Sequence, residues 1–141
     1  MQTWKIEYAS GDFERFYLKL PPYEQAVVDA ALTRVLAVRG LEAFDGGWGK
    51  SLGRGLFEFR IQRSLDAILS RADSEPPRSG ATARRVSIRI FCTFTGNRIV
   101  VLLHGYDKGR DPSTRRQQTE IARARTALRT WRMNPPPVHE L

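Results

Sequence analysis

"VSIRIFCTFTGNRIVVLLHGYDKGRDPS", residues 86–113, decides the fold. Its first half alternates: Val86, Ile88, Ile90, Cys92 and Phe94 fall on one side of an extended chain, Arg89 on the other. Gly96-Asn97 then supplies a hairpin turn. "RIVVLLHGY" follows with so little polar interruption that it reads as a central strand covered on both faces. The apolar run ends in His104, Tyr106, Lys108 and Arg110, where an ordinary turn would have sufficed to stop a strand.

Upstream, "LFEFRI" repeats the pattern, with Phe57, Phe59 and Ile61 facing one way and Glu58 and Arg60 the other. Between it and residue 86 lies "QRSLDAILSRADSEPPRSGATARR", read as a short helix and a mobile, proline-containing loop. "EAFDGGWGKSLGRG" reads as a glycine-rich connection. Its Gly49-Lys50-Ser51 is no phosphate loop, because that pattern needs glycine at position 44, where Phe44 stands. Before it, "YEQAVVDAALTRVLAVRG" puts Val28, Ala31, Leu32, Val35 and Val38 on one helical stripe, with Gly40 as the C-terminal cap. "SGDFERFYLKL" is a first helix with Ser10 as N-cap, ended by Pro21 and Pro22, and "TWKIEYA" a first strand. Downstream, Asp111 is placed as the N-cap of a helix carrying Ile121, Ala124, Leu128 and Trp131 on one stripe, and "NPPPVHEL" as a frayed tail. The predicted order is β-α-α-β-β-β-α, one domain over residues 1–133 with an insertion at about 62–85 and a flexible tail at 134–141.

The 141 residues carry a net charge of +8, placed unevenly. Residues 1–53 hold six Lys and Arg against seven Asp and Glu, a net of −1. Residues 54–141 hold 17 against eight, a net of +9, which points to nucleic acid or an acidic partner for that half. No stretch reaches the roughly 20 apolar residues of a membrane span. The opening residues lack the basic-then-apolar pattern of a secretion signal, and one cysteine allows no internal disulfide. Cytoplasmic residence is expected, with no membrane partner.

Two histidines and one cysteine offer no recognisable metal-ligand spacing, so no metal and no cofactor is expected. Cys92, among Ile88, Ile90 and Phe94, reads as a small buried hydrophobe. What remains is a surface assembled by alternation. Arg60 and Arg89 point away from the apolar side of their strands, and His104, Tyr106 and Lys108 share a side if the last strand runs regularly. Arginines stabilise the charge of a phosphoryl transition state, while histidine, lysine or tyrosine can move protons. Taken singly, each residue also fits a plain structural role, and Glu58 or Asp66 could simply pair either arginine.

With this order, "GLFEFRI", "SIRIFCTF" and "RIVVLLHGYDKGRDPSTRRQQTEIARARTAL", the chain resembles the RelE/ParE toxin superfamily, in its HigB-like, phage-derived branch, from about Lys5 to about Trp131. The resemblance implies an α+β fold: a small antiparallel sheet, two N-terminal helices packed on one face, and a C-terminal helix. It implies a toxin of a type II toxin–antitoxin module, an endoribonuclease (mRNA interferase) that cuts mRNA, often on the ribosome, by metal-free 2′-OH attack. It also implies a cognate antitoxin, expected to be a helix-turn-helix protein. Arg60 and Arg89 would contact the scissile phosphate, with His104, Tyr106 and Lys108 as further catalytic candidates. Lys50, Arg110, Arg115 and Arg116 complete the expected RNA-binding set. Two alternatives stay open: a ParE-like gyrase-inhibiting toxin, and a non-enzymatic basic nucleic-acid-binding phage accessory protein.

Overall fold

The computed structural model describes residues 3–70 and 83–134. It is built on the anticipated hairpin. β4 (Ile88–Thr95) and β5 (Ile99–Asp107) pair antiparallel through a turn in which Gly96 and Arg98 both take positive φ. Around it the order is β1-β5-β4-β3-β2, where β1 is Lys5–Tyr8, β2 Gly49–Gly53 and β3 Leu56–Ile61. The fold is α+β, and its sheet is mixed. Antiparallel pairing holds from β2 to β5, whereas β1 runs parallel to β5, Lys5 opposite Ile99 and Tyr8 opposite Leu102. β5 thus lies inside the sheet, as its apolar run requires.

One face carries the N-terminal helices. α1 (Asp12–Leu18) and α2 (Pro22–Ala31) set Phe13, Val27, Val28 and Ala31 against Phe59, Ile61, Ile88, Ile90, Cys92 and Leu102. α2 runs on through a π turn, Leu32–Leu36, into the short α3 (Ala37–Arg39). The extra residue of the π turn rotates the stripe, so Leu36 is buried and Val38, expected inside, is exposed. Gly40 ends the run at φ 53, under the ring of Trp4, where a Cβ has no room.

The opposite face carries α5 (Thr114–Met133), whose Ala124 and Leu128 close on Leu56, Phe91, Leu103 and Tyr106 with Ile121 and Trp131 half-buried at the margin. The expected stripe therefore docks. Its cap is Ser113, accepting from the Arg116 amide at 3.1 Å; Asp111, expected in that role, instead accepts from the Ser113 amide. The cap of α1 also shifts, from Ser10 to Gly11.

The long connection after β3 leaves the sheet and returns in register. α4 (Leu65–Leu69), capped by Ser64, buries Ile68, and Ser64 bridges to Arg85 where the chain comes back. Residues 71–82, most of the loop expected to be mobile, and residues 135–141, most of the expected tail, lie outside the described residues.

Candidate active site

Strand register lays two rows of side chains across the α5 face. Lys50, Glu58, Phe91 and His104 are successive partners in one row, and Arg60, Arg89 and Tyr106 in the next. The two arginines are direct cross-strand partners despite the residues between their strands.

The histidine and tyrosine reach this face through one irregularity. Val100 and Leu102 point at the N-terminal helices, and strict alternation would send His104 and Tyr106 after them. Instead Leu103 is bulged out between the pairs Cys92–Leu102 and Phe91–His104. That one extra residue reverses the parity of the rest of β5. Gly105, between them, then faces α1. A Cβ there would come 2.7 Å from the Phe16 ring and 2.8 Å from the Arg89 carbonyl oxygen, so glycine lets α1 lie against the strand.

The centre is a buried carboxylate between arginines. Glu58 is fully buried and accepts from Arg60 Nε at 2.7 Å, with Arg89 Nε 4.0 Å away. Arg89, 4% exposed, donates through Nη2 to Gln62 Oε1 at 2.7 Å, and its Nε has no hydrogen-bond partner among the described residues. Burial pulls the Arg89 guanidinium below its ordinary value, against the attraction of Glu58. It stays charged at neutral pH, as arginine does.

α5 closes over this centre with polar groups. Gln117 Nε2 reaches Glu58 Oε2 at 3.4 Å, and Arg116 stacks its guanidinium 5.2 Å from the centre of the Tyr106 ring. Buried Glu120 pairs with His104 Nε2 at 3.1 Å and accepts from Arg116 Nε at 2.7 Å. Burial first, then Arg123, lowers the His104 pKa, with Glu120 opposing. A neutral imidazole whose Nε2–H is held by a carboxylate offers Nδ1 as an acceptor, and Nδ1 is buried with no partner among the described residues. The Tyr106 hydroxyl is likewise buried and unpartnered, its pKa raised by burial and then by Glu58. The face therefore holds an acceptor and a donor beside two arginines.

The other expected site residues are placed less tightly. Lys108 does not share the strand side of His104 and Tyr106. β5 stops at Asp107, whose carboxylate accepts from the Gly109 amide at 2.9 Å, and Lys108 falls in the resulting turn. Lys50 is exposed on the edge strand opposite Glu58. Arg110 pairs with Asp107 at 3.5 Å and Arg115 is exposed on α5, while Arg116, expected among the RNA-binding residues, turns inward over Tyr106. Cys92 is buried in the opposite core and its thiol is pushed far up by burial, leaving it inert. Among the described residues no three His, Cys, Asp or Glu side chains cluster to hold a metal ion, and no helix is long and apolar enough to cross a membrane.

No family model, curated protein or solved structure matches the chain. The residues that sequence reading passed over are Gln62, Gln117 and Glu120. Glu120 did carry a signal: it is the one acid in α5, and it stands four residues before Ala124 on the stripe that docks. A carboxylate at a core position asks for a buried partner.

Proposed function

We propose that the chain is an endoribonuclease toxin of a type II toxin–antitoxin module, acting on mRNA in the cytoplasm. The supporting observation is the Arg60–Arg89–Tyr106 row beside a neutral His104 with a free Nδ1. In this reading Nδ1 takes the proton of a ribose 2′-OH, and the oxygen attacks the adjacent phosphorus. Arg89 and Arg60 neutralise the charge that gathers on the phosphate oxygens. Tyr106, kept protonated by its raised pKa, gives its proton to the departing 5′-oxygen, leaving a 2′,3′-cyclic phosphate and a 5′-hydroxyl. Substrate reaches the row once the side chains of Arg116 and Gln117 swing off Tyr106 and Glu58, while Glu120 keeps its hold on His104 Nε2. The partner of such a toxin is an antitoxin, here expected to be a helix-turn-helix protein.

The test is incubation of RNA, free and on ribosomes, with the purified chain. Mass spectrometry of the fragments should find cyclic or 3′-phosphate ends in the presence of EDTA. Arg89→Ala, folded by its melting curve, should cut at least about a hundredfold more slowly. Fragments ending in 3′-hydroxyl, or an equally active alanine variant, would reject the mechanism. The burial of Arg89 and His104 also favours a second reading, a basic nucleic-acid-binding protein that cleaves nothing and uses the exposed Arg115, Arg123 and Arg129. Salt-steep RNA binding with intact RNA would decide for it.

A further inference from the structure

Where β5 passes Leu102 it outruns its partner β1, and a pocket of 300 Å³ opens between α1, the end of β5 and α5. Five cations line it: Arg15 and Lys19 from α1, Arg110 from the turn, Arg116 and Arg123 from α5. The carboxylates nearby are already engaged. Asp12 pairs with Arg15 and Asp107 with Arg110, while Glu120 is shared by Arg116, Arg123 and His104. Lys19 has no ion pair among the described residues, so the pocket keeps a cationic excess. Its inner wall includes His104 and Tyr106, both at least 98% buried, whose Nδ1 and hydroxyl lack partners among the described residues.

We propose that this pocket binds a backbone phosphate of single-stranded nucleic acid. The cations converge from three directions, which suits a tetrahedral phosphate better than a planar carboxylate served by one guanidinium fork. Phe16 and Leu20 add an apolar wall against which a sugar or base can rest. A phosphate seated here stands next to the Arg60–Arg89–Tyr106 row, so the pocket would hold the nucleotide neighbouring the scissile one. In naming that occupant the proposal rests on the ribonuclease reading; its test does not need cleavage.

The experiment titrates the whole chain with a thymidine dinucleotide, which has no 2′-OH to attack, and separately with inorganic phosphate and a glutamate-rich peptide, by calorimetry at low and at physiological salt. The dinucleotide should bind more tightly than either other probe. Lys19→Gln and Arg123→Gln should each weaken it roughly tenfold. Arg34→Gln, exposed on the π turn and outside the pocket, should leave the affinity unchanged. Wild-type affinity in a folded Lys19→Gln chain, tighter binding of the peptide, or equal binding of inorganic phosphate would each overturn the proposal. Uncleaved RNA together with Lys19-dependent dinucleotide binding would sink the ribonuclease reading and leave the pocket standing. RNA cleavage with Lys19-independent binding would do the reverse.

Discussion

Glu58 is the residue on which the site turns. It is fully buried between Arg60 and Arg89, and its removal leaves the inner guanidinium without a counter-charge in a place water does not reach. Glu58→Ala should therefore lose about 3 kcal/mol of stability, read from a denaturant midpoint at unchanged slope. A loss below about 1 kcal/mol would mean that the pair is solvated. His104 gives a pH signature. Its folded-state pKa lies below the ordinary imidazole value near 6.5, so the unfolded chain binds this proton first as pH falls. Its contribution is complete above about 6.5 and drains away as pH drops toward the folded-state value. The melting temperature should fall over that window, and fall less in His104→Asn; parallel curves would contradict the buried neutral imidazole. The shared face of Arg60 and Arg89, away from the apolar side of their strands, was legible from alternation alone, and Glu58 could be named as a partner for either. That Glu120 fixes the histidine tautomer was not, because the two meet only when α5 is docked.

Among the elements, β5 and α5 hold the devices that sequence pattern conceals. The bulge at Leu103 has no residue signature, since an apolar residue there fits a regular strand as well. Deleting Leu103 should leave a regular ladder, with Leu102 still opposite Cys92, His104 still opposite Phe91, and His104 and Tyr106 still on the α5 face. The expected result is a folded chain that loses about 2–5 kcal/mol through the missing packing of Leu103 against Phe91, Ala124 and Leu128, read from a denaturant midpoint; a chain with no folding transition would show that the bulge itself holds the sheet together. Gly105→Ala should itself cost on the order of 1–3 kcal/mol, because the added methyl meets a backbone oxygen that cannot step aside. α5 divides in two. Its later turns are anchored by Ala124 and Leu128, by Arg125 to the Leu52 carbonyl at 2.5 Å and by Arg132 to the Arg54 carbonyl at 3.0 Å. Its first turns rest on polar contacts. Hydrogen exchange should be at least about tenfold faster for amides 117–120 than for 124–131; uniform protection would deny that the first turns open separately. The helices and three inner strands were legible from periodicity. β2 and the π turn were not, because Gly49 and Gly53 weaken the strand signal and a one-residue slip leaves a helical pattern almost unchanged.

At the scale of the molecule the basic half of the chain is folded around one sheet, with Arg115 and Arg129 exposed on α5 and Arg110 at the end of β5. Long RNA should lose about one unit of salt slope for each of Arg115→Gln and Arg129→Gln, measured by affinity across a salt series, with melting unchanged. An unaltered slope would put the backbone contacts elsewhere. The topology also fixes a schedule. β1 leaves the ribosome first, yet the strand it pairs with, β5, is the fourth to follow it, and α5 comes later still. Until residues 99–107 have emerged, β1 lacks its partner strand, the N-terminal helices lack Val100 and Leu102 of their core, β4 keeps an open edge, and neither His104 nor Tyr106 stands beside the arginines. Closure of the sheet therefore waits on long-range pairing, which makes folding slow. A ribosome-bound fragment that stops before residue 99 carries both arginines but neither His104 nor Tyr106, so under the proposed ribonuclease mechanism no nascent chain cuts before its β4–β5 hairpin is complete.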